Sequence, residues 1–123
     1  MNVLKLEDLD IYQLAIEIGE DVWGFVLKWD DFAKGTVGKQ FVEAADSISA
    51  NIAEGYGRYF YKDRKIFYYY SRGSLLETKN WAIKSLKRSL FTQIEYDTLI
   101  GKLQTLHHQL NIYIKKLKTA PPQ

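Results

Sequence analysis

Polar side chains that could perform acid–base chemistry recur along one face of a segment that otherwise has the pattern of a helix. At about 100° per residue, Glu54 shares a narrow arc with its polar neighbours, and Glu77 shares a second arc further along the chain. Two carboxylates facing each other across a cleft are the arrangement that general acid–base catalysis and glycoside hydrolysis use. The polar positions are Ser47, Asn51, Glu54 and Arg58 in the first segment, and Ser74 and Glu77 in the second.

A structural hydrogen-bond network explains the same residues without catalysis. No histidine or lysine stands at a spacing that would provide a convincing general base. An unpaired buried amide or carboxylate costs several kcal/mol (roughly 2–7 for a neutral group), and the Arg58 guanidinium can bind a carboxylate through two hydrogen bonds. We therefore predict no catalytic residues and a buried polar network between two helices, formed by Ser47, Asn51, Glu54, Ser74 and Glu77 with Arg58 as a partner.

Inward-facing glutamates in a helical protein also suggest a di-iron centre. That site requires a Glu-x-x-His motif on two helices, because each metal needs carboxylate and imidazole ligands. Three residues after Glu54 and Glu77 stand Gly57 and Asn80, and His107 and His108 are the only histidines. The sequence predicts neither a metal site nor a cofactor.

Basic residues alternate with aromatic residues after the first polar segment. Lysine and arginine contact phosphates, and exposed aromatic rings can stack on unpaired bases. The alternative is a solvated basic face whose tyrosines pack within the fold. We predict a nucleic-acid-binding surface formed by Arg58, Lys62, Arg64, Lys65 and Arg72.

Helical periodicity accounts for nearly the whole chain. Apolar residues recur at three- and four-residue steps in four segments, predicted as helices over about 8–29, 36–56, 63–89 and 93–118. Two glycines between Asp30 and Gly38 predict a loop there, and residues 119–123 are predicted to be a frayed tail. The predicted fold is all-α, an antiparallel up-down four-helix bundle in a single domain.

The third predicted helix has apolar residues on two opposed faces. One face carries Phe67, Tyr70 and Trp81, which we assign to the interior of the bundle. A monomeric bundle has only one interior, so the other face is predicted to meet a second subunit. The predicted oligomer interface consists of Leu75, Leu76, Ile83 and Leu86.

Composition places the chain in a reducing compartment. It contains no cysteine, MNVLKLEDLD turns acidic before a signal-type apolar run can form, and no apolar run approaches membrane-spanning length. We expect a cytoplasmic protein that does not enter a membrane. The net charge of +2 conceals a split, because residues 1–55 carry 4 Lys and Arg against 11 Asp and Glu, and residues 56–123 carry 13 against 4. Such asymmetry indicates an oriented surface for a charged partner, unless the two halves neutralise each other inside the fold.

Three segments carry a resemblance to a known family: DLDIYQLA (Asp8–Ala15), SISANIAEGYGR (Ser47–Arg58) and FYYYSRGSLLETKNW (Phe67–Trp81). They resemble the four-helix-bundle family encoded within intervening sequences of bacterial 23S ribosomal RNA genes, which is similar to the accessory protein of diversity-generating retroelements. The resemblance implies a homopentameric ring without known enzymatic activity. In the retroelement relatives it also implies a basic surface that binds nucleic acid and a partner reverse transcriptase.

The residues and the resemblance lead to one expected function with one alternative. We expect a non-enzymatic homo-oligomeric ring that acts as a nucleic-acid-binding or scaffolding module for RNA or DNA. The alternative is an assembly or adaptor protein that binds a protein partner, such as a reverse transcriptase, without contacting nucleic acid.

Overall fold

Four long helices make up almost all of the computed structural model, which describes residues 5–119 and side chains up to residue 117. The prediction of an all-α four-helix bundle is confirmed. The predicted frayed tail lies outside the described residues, apart from Thr119, which ends the last helix. A 3₁₀ turn (Leu6–Asp8) precedes the helices α1 (Asp10–Leu27), α2 (31–56), α3 (Tyr61–Lys87) and α4 (Gln93–Thr119). We count three consecutive helical pieces as α2: a short α-helical start (Asp31–Ala33), a π-helical turn (Lys34–Gly38) and the main helix (Lys39–Tyr56).

The packing pattern places the helices at the corners of a square. α1 packs against α2 and α4, and α3 packs against the same two helices. Consequently α1 and α3 lie diagonally opposite each other. The acidic half of the sequence supplies the neighbouring helices α1 and α2, whereas the basic half supplies α3 and α4.

The core follows the three- and four-residue spacing of apolar side chains. Its fully buried members include Ile11, Ile18 and Val22 of α1, Phe41, Ile48 and Ile52 of α2, Leu75 of α3, and Leu99, Leu103, Leu106 and Leu110 of α4. Burying each large aliphatic side chain contributes about 1.5–3 kcal/mol. An aromatic cluster closes one end, where Phe91 lies edge-on to Phe25, Trp29 and Phe41 at centroid distances of 5.3–6.4 Å.

The connection between α1 and α2 differs from the prediction. The sequence predicts a loop from Asp30 to Gly38, but the helix already begins at Asp31, capped by the Asp30 carboxylate, which accepts from the Ala33 N–H at 2.9 Å. Gly38 does not break the helix. A Cβ atom at Gly38 would lie 2.8 Å from Val26 Cγ1 and 2.9 Å from the Ala33 carbonyl oxygen. The glycine therefore allows α2 to pass close to α1, and the π-helical turn accommodates that approach.

The turn between α3 and α4 contains a non-glycine residue in the left-handed region. Ser89 has a φ of 59° and its N–H bonds to the Leu86 carbonyl, while the Leu90 N–H reaches back to the Ser85 carbonyl at 2.9 Å. This hydrogen-bond pair is the Schellman motif, in which glycine usually occupies the left-handed position. A side chain there costs about 1 kcal/mol, which indicates that the turn is held by its surroundings.

Replacing this serine with glycine should stabilise the protein. Ser89→Gly removes the left-handed strain but adds freedom to the unfolded chain, so we expect a gain of up to about 1 kcal/mol. Thermal unfolding should then shift upward by roughly 3–6 °C for a chain of this size. Ser89→Ala, which keeps the Cβ atom, is the matched control and should leave the midpoint near that of the unmodified protein. Equal midpoints for the glycine and alanine variants would contradict the assignment of strain.

Candidate functional site

The polar row predicted to form a buried network lies along the outer edge of the seam between α2 and α3. Its members on α2 bond within their own helix: Ser47 Oγ donates to the Glu43 carbonyl at 2.7 Å, and Asn51 Nδ2 donates to the Ser47 carbonyl at 2.9 Å. On α3, the Ser74 carbonyl accepts from the Thr78 hydroxyl at 2.8 Å. These bonds satisfy polar groups locally and do not join the two helices.

The two glutamates are exposed. Glu54 pairs with Arg58 one turn later at 3.2 Å, with 59% of the Glu54 side chain and 47% of the Arg58 side chain accessible to solvent. Glu77 is also on the surface. The prediction of a buried network of Ser47, Asn51, Glu54, Ser74 and Glu77 is therefore wrong for a single chain. An exposed pair of this kind is screened by water and contributes little to stability.

Hydroxyl side chains on a different face of α3 make the buried polar contacts. Ser71 is completely buried, and its Oγ donates across the seam to the Ile48 carbonyl of α2 at 2.8 Å. Thr78 and Ser85 are also fully buried and bond to carbonyls one turn earlier in α3. The interior face of α3 is consequently a row of mostly small residues at three- and four-residue steps, with one tyrosine and one leucine: Tyr68, Ser71, Leu75, Thr78, Ala82 and Ser85. Reading hydroxyl residues as core residues would have revealed this spacing in the sequence.

The rotation of α3 also changes the predicted oligomer interface. Leu75 is 1% exposed in the core of its own bundle, so its assignment to a subunit contact is wrong. Leu86 is half-buried and packs against the same core. Leu76 and Ile83 are exposed, as the prediction requires. They belong to an outward row that we call the α3 stripe: Ile66, Tyr69, Tyr70, Gly73, Leu76 and Ile83.

A second exposed apolar row runs along α1, on the diagonally opposite helix. Its members, the α1 stripe, are Ile16, Trp23 and Leu27. Trp23 and Leu27 line a shallow depression together with Lys34 and Val42, so the α1 stripe continues onto α2. Sequence reasoning missed this row, because it assigned only one apolar face to the first helix and considered a second face on the third helix alone.

The predicted basic residues gather at the link between α2 and α3 and along the first half of α3. Arg58 lies over the Phe67 ring at 4.7 Å. Arg64 donates from Nε to the Arg58 carbonyl at 2.6 Å, which fixes the link. Arg72 lies 5.0 Å from the centre of the Tyr69 ring and donates from Nη1 to Asn111 Oδ1 at 2.8 Å.

The two lysines of the cluster occupy the same turns of α3. Lys62 is exposed and Lys65 is half-buried. Their positions leave both ammonium groups near the surface, where a long flexible side chain can follow a phosphate. The cluster of Arg58, Lys62, Arg64, Lys65 and Arg72 thus extends from the α2–α3 link along the first half of α3.

Shifted pKa values lie away from the polar row. Partial desolvation raises the pKa of Asp46, and the negative charge of Glu20 raises it further. Burial also raises the pKa of the Tyr68 phenol to about 12, although the positive charge of Arg64 acts in the opposite direction. Desolvation is the largest cause of both shifts, and neither shift involves Glu54 or Glu77. Among residues 5–119, no group of three or more His, Asp and Glu side chains is placed to hold a metal ion.

The sequence pattern of the 23S rRNA-intervening sequence proteins matches residues 7–112. The chain belongs to this family. The resemblance found from the three sequence motifs is thereby confirmed. No curated protein matches the chain at a significant level.

A solved structure shows the same fold. It is the crystal structure of a protein with unknown function from the S23 ribosomal protein family of Bacteroides thetaiotaomicron VPI-5482. The TM-score is 0.76 at 17% sequence identity, and the match covers 85% of the present chain and 98% of the other. At this identity the likeness establishes the fold alone. In the part of the chain that the structure describes, no helix has the length and apolar character needed to cross a bilayer.

Two substitutions on α3 distinguish the buried hydroxyl row from the exposed polar row. Ser71→Val forces an extra methyl group into the seam and removes the bond to Ile48, so we expect a loss of about 1–3 kcal/mol in the free energy of unfolding. Glu77→Ala should change that free energy by less than about 0.5 kcal/mol, as for other surface positions. Chemical denaturation at concentrations where the chain is monomeric measures both. A larger loss for Glu77→Ala than for Ser71→Val would reinstate the buried network.

Proposed function

We propose that this protein is a non-enzymatic cytoplasmic bundle that assembles head to tail into a homo-oligomeric ring, which acts as a nucleic-acid-binding or scaffolding module. One observation carries the proposal: two different exposed apolar rows lie on diagonally opposite helices. Rows of large exposed apolar side chains of this kind are typical of interaction sites. The absence of cysteine is compatible with a reducing cytoplasm.

The two rows favour a head-to-tail contact over a symmetric dimer. In a two-fold dimer the same surface patch meets its own copy, whereas a head-to-tail contact joins two different patches. The α3 stripe repeats at Ile66, Gly73, Ile83 and their neighbours with the 3.5-residue spacing that suits packing against another helix. The α1 stripe of a neighbouring subunit supplies such a helix. The expected number of five subunits comes from the family resemblance.

Charge supports the same pairing. Residues 1–55 have a net charge of −7, and residues 56–123 have a net charge of +9. In a head-to-tail ring the acidic helices of one subunit therefore meet the basic helices of the next. Complementary charge of this kind orients the encounter and disfavours pairing of identical faces.

Nucleic-acid binding is supported by the cluster of Arg58, Lys62, Arg64, Lys65 and Arg72 at the α2–α3 link. In a cyclic ring every subunit presents the same end on the same side, so this cluster is repeated around one face. Repetition converts contacts that are weak for one subunit into strong binding by the assembly. Nothing in the cluster resembles a base-reading motif, so recognition through phosphates is expected.

A specific observation supports the alternative of a protein partner. The opposite end of the bundle exposes Phe32 and Ile94, which are 81% and 78% accessible. Phe32 lies beside a 450 Å³ depression that Val37, Arg88 and Leu90 also line. Exposed apolar side chains beside a depression suit the side chain of another protein. An adaptor that binds a reverse transcriptase or a similar protein would use this end.

Glycine substitutions test the ring directly. Gly73 lies in the middle of α3 and Gly101 in α4, and a Cβ atom at either position would meet nothing within 4 Å in a single chain. Alanine at an exposed helical position stabilises one chain by about 0.5–1 kcal/mol. We expect Gly73→Ala to weaken the ring because the new methyl group enters the subunit contact, whereas Gly101→Ala should leave the mass unchanged. Light scattering over a dilution series measures the mass. A strictly monomeric unmodified protein at micromolar concentration would refute the ring.

Charge removal tests nucleic-acid binding. The Lys62→Gln/Lys65→Gln variant should bind a structured RNA more weakly, and the slope of log affinity against log salt should become shallower because fewer phosphates are neutralised. The control variant Lys28→Gln/Lys39→Gln also removes two positive charges, but at positions far from the link. It should keep the slope of log affinity against log salt that the unmodified protein shows. A gel-shift titration at several salt concentrations measures both. The absence of any shift of RNA or DNA at low salt would leave the protein-partner alternative.

A further inference from the structure

Two adjacent aromatic side chains at the α2–α3 link remain open to solvent. Tyr59 is 64% exposed and Phe60 is 53% exposed. The rings lie edge to face, with centroids 4.8 Å apart and planes at 89°. They precede the first residue of α3 and lie outside both apolar stripes, so the proposed subunit contact does not account for them.

The link that carries these rings is held in place by its neighbours. Arg64 Nε donates to the carbonyl of Arg58, the residue before Tyr59, and the Arg64 guanidinium lies over the Tyr61 ring at 5.4 Å. Arg58 is held by Glu54 and the Phe67 ring. Both arginines are therefore engaged in building the link. The rings are consequently presented from a fixed backbone, which lowers the entropic cost of binding.

The lysines beside the rings are placed differently from the arginines. Lys62 and Lys65 lie one turn apart near the start of α3, about 4.5 Å along its axis. They supply mobile positive charge next to flat apolar surfaces. Aromatic rings combined with cations in this way are typical of proteins that bind single strands, because every unpaired base has a face that can stack.

We propose that Tyr59 and Phe60 stack unpaired bases while Lys62 and Lys65 neutralise the adjoining phosphates, so that the nucleic acid bound by the ring is single-stranded. This inference rests on the proposed nucleic-acid binding and assigns its ligand class. Bases in a duplex are already stacked on their neighbours and cannot offer a face to a side chain without being unpaired. The site therefore discriminates unpaired strands, loops and ends from duplexes, without reading their sequence.

Fluorescence anisotropy with the full chain tests the inference. The probes are a short labelled oligouridylate and a blunt RNA duplex of the same length, each at low salt. The Tyr59→Ala/Phe60→Ala variant should lose at least tenfold in affinity for the single strand and less than twofold for the duplex. Phe60→Trp, which keeps a stacking face, should bind the single strand at least as tightly as the unmodified protein.

Two controls make the result specific. Phe32→Ala removes an exposed aromatic ring at the opposite end of the bundle and should leave the affinity for the single strand unchanged. Circular dichroism and light scattering should show that the double alanine variant keeps its helicity and the mass of the unmodified protein. An oligothymidylate of the same length distinguishes the sources of the ligand. If the oligothymidylate binds as tightly as the oligouridylate, the site accepts any unpaired strand. If the oligothymidylate binds more weakly, the site prefers RNA.

The failures can be told apart. If the double alanine variant binds the oligouridylate as tightly as the unmodified protein, or if the duplex is bound more tightly than the single strand, the stacking site is refuted while nucleic-acid binding stands. If neither probe binds at low salt, the proposed nucleic-acid function is refuted and the stacking site with it.

Discussion

The close approach of α2 and α3 is the constraint on which the other surfaces depend. A Cβ atom at Gly55 would lie 2.9 Å from Tyr68 Cε1 and 3.1 Å from the Arg64 carbonyl oxygen, so only glycine fits there without displacement. Further along the seam, Ser71 bonds to the backbone of α2. Gly55 of α2 makes room for Tyr68 of α3, and Ser71 of α3 lies against the α2 backbone, so these contacts fix the rotation of α3. Ile66, Leu76 and Ile83 point outward as a result, as does Lys62.

The sequence predicts the fold well because the helical spacing is clear in all four segments and the core positions of α4 are unambiguous. Leu99, Leu103, Leu106 and Leu110 have no rival apolar face on α4, so their spacing decides its orientation. On α3, aliphatic and aromatic residues occupy every side, and counting apolar residues does not decide which side is inside. The deciding signal is the row of small hydroxyl residues, whose polarity is satisfied by helix carbonyls and which therefore behave as core residues. The loop prediction at Gly38 is wrong for a related reason, since close packing between helices uses glycine as readily as a turn does.

Charge within one bundle is only partly neutralised. Lys102 of α4 pairs with Glu17 and Asp21 of α1, and its pKa is raised chiefly by the hydrogen bond to Asp21. Lys28 lies 3.5 Å from Glu95 across the same pair of helices. These contacts join α1 to α4. No ion pair joins α2 to α3 within the part of the chain that the structure describes, and Lys62 and Lys65 of α3 therefore remain available for another molecule.

The direction of the two apolar stripes bears on whether a head-to-tail contact closes. Contacts on exactly opposed faces would build an open filament, whereas faces inclined towards each other build a ring. Trp23 and Leu27 share a depression with Val42 of α2, and Tyr70 contacts Phe67, whose ring lies under Arg58 at the end of α2. At Trp23, Leu27 and Tyr70 the two stripes reach towards α2, which inclines the proposed contacts to that side.

In the proposed ring this inclination turns α2 towards the axis. The exposed side of α2 carries Glu43, Asp46 and Glu54, so the inner wall is acidic and repels a polyanion. A nucleic acid bound by such a ring would follow the basic end at the α2–α3 links rather than thread the opening. In the proposed ring the separation of charge along the chain then has two consequences. Opposite charges on α1 and α3 orient neighbouring subunits, and the lysines at the α2–α3 link stay where an unpaired strand could reach the aromatic rings beside them.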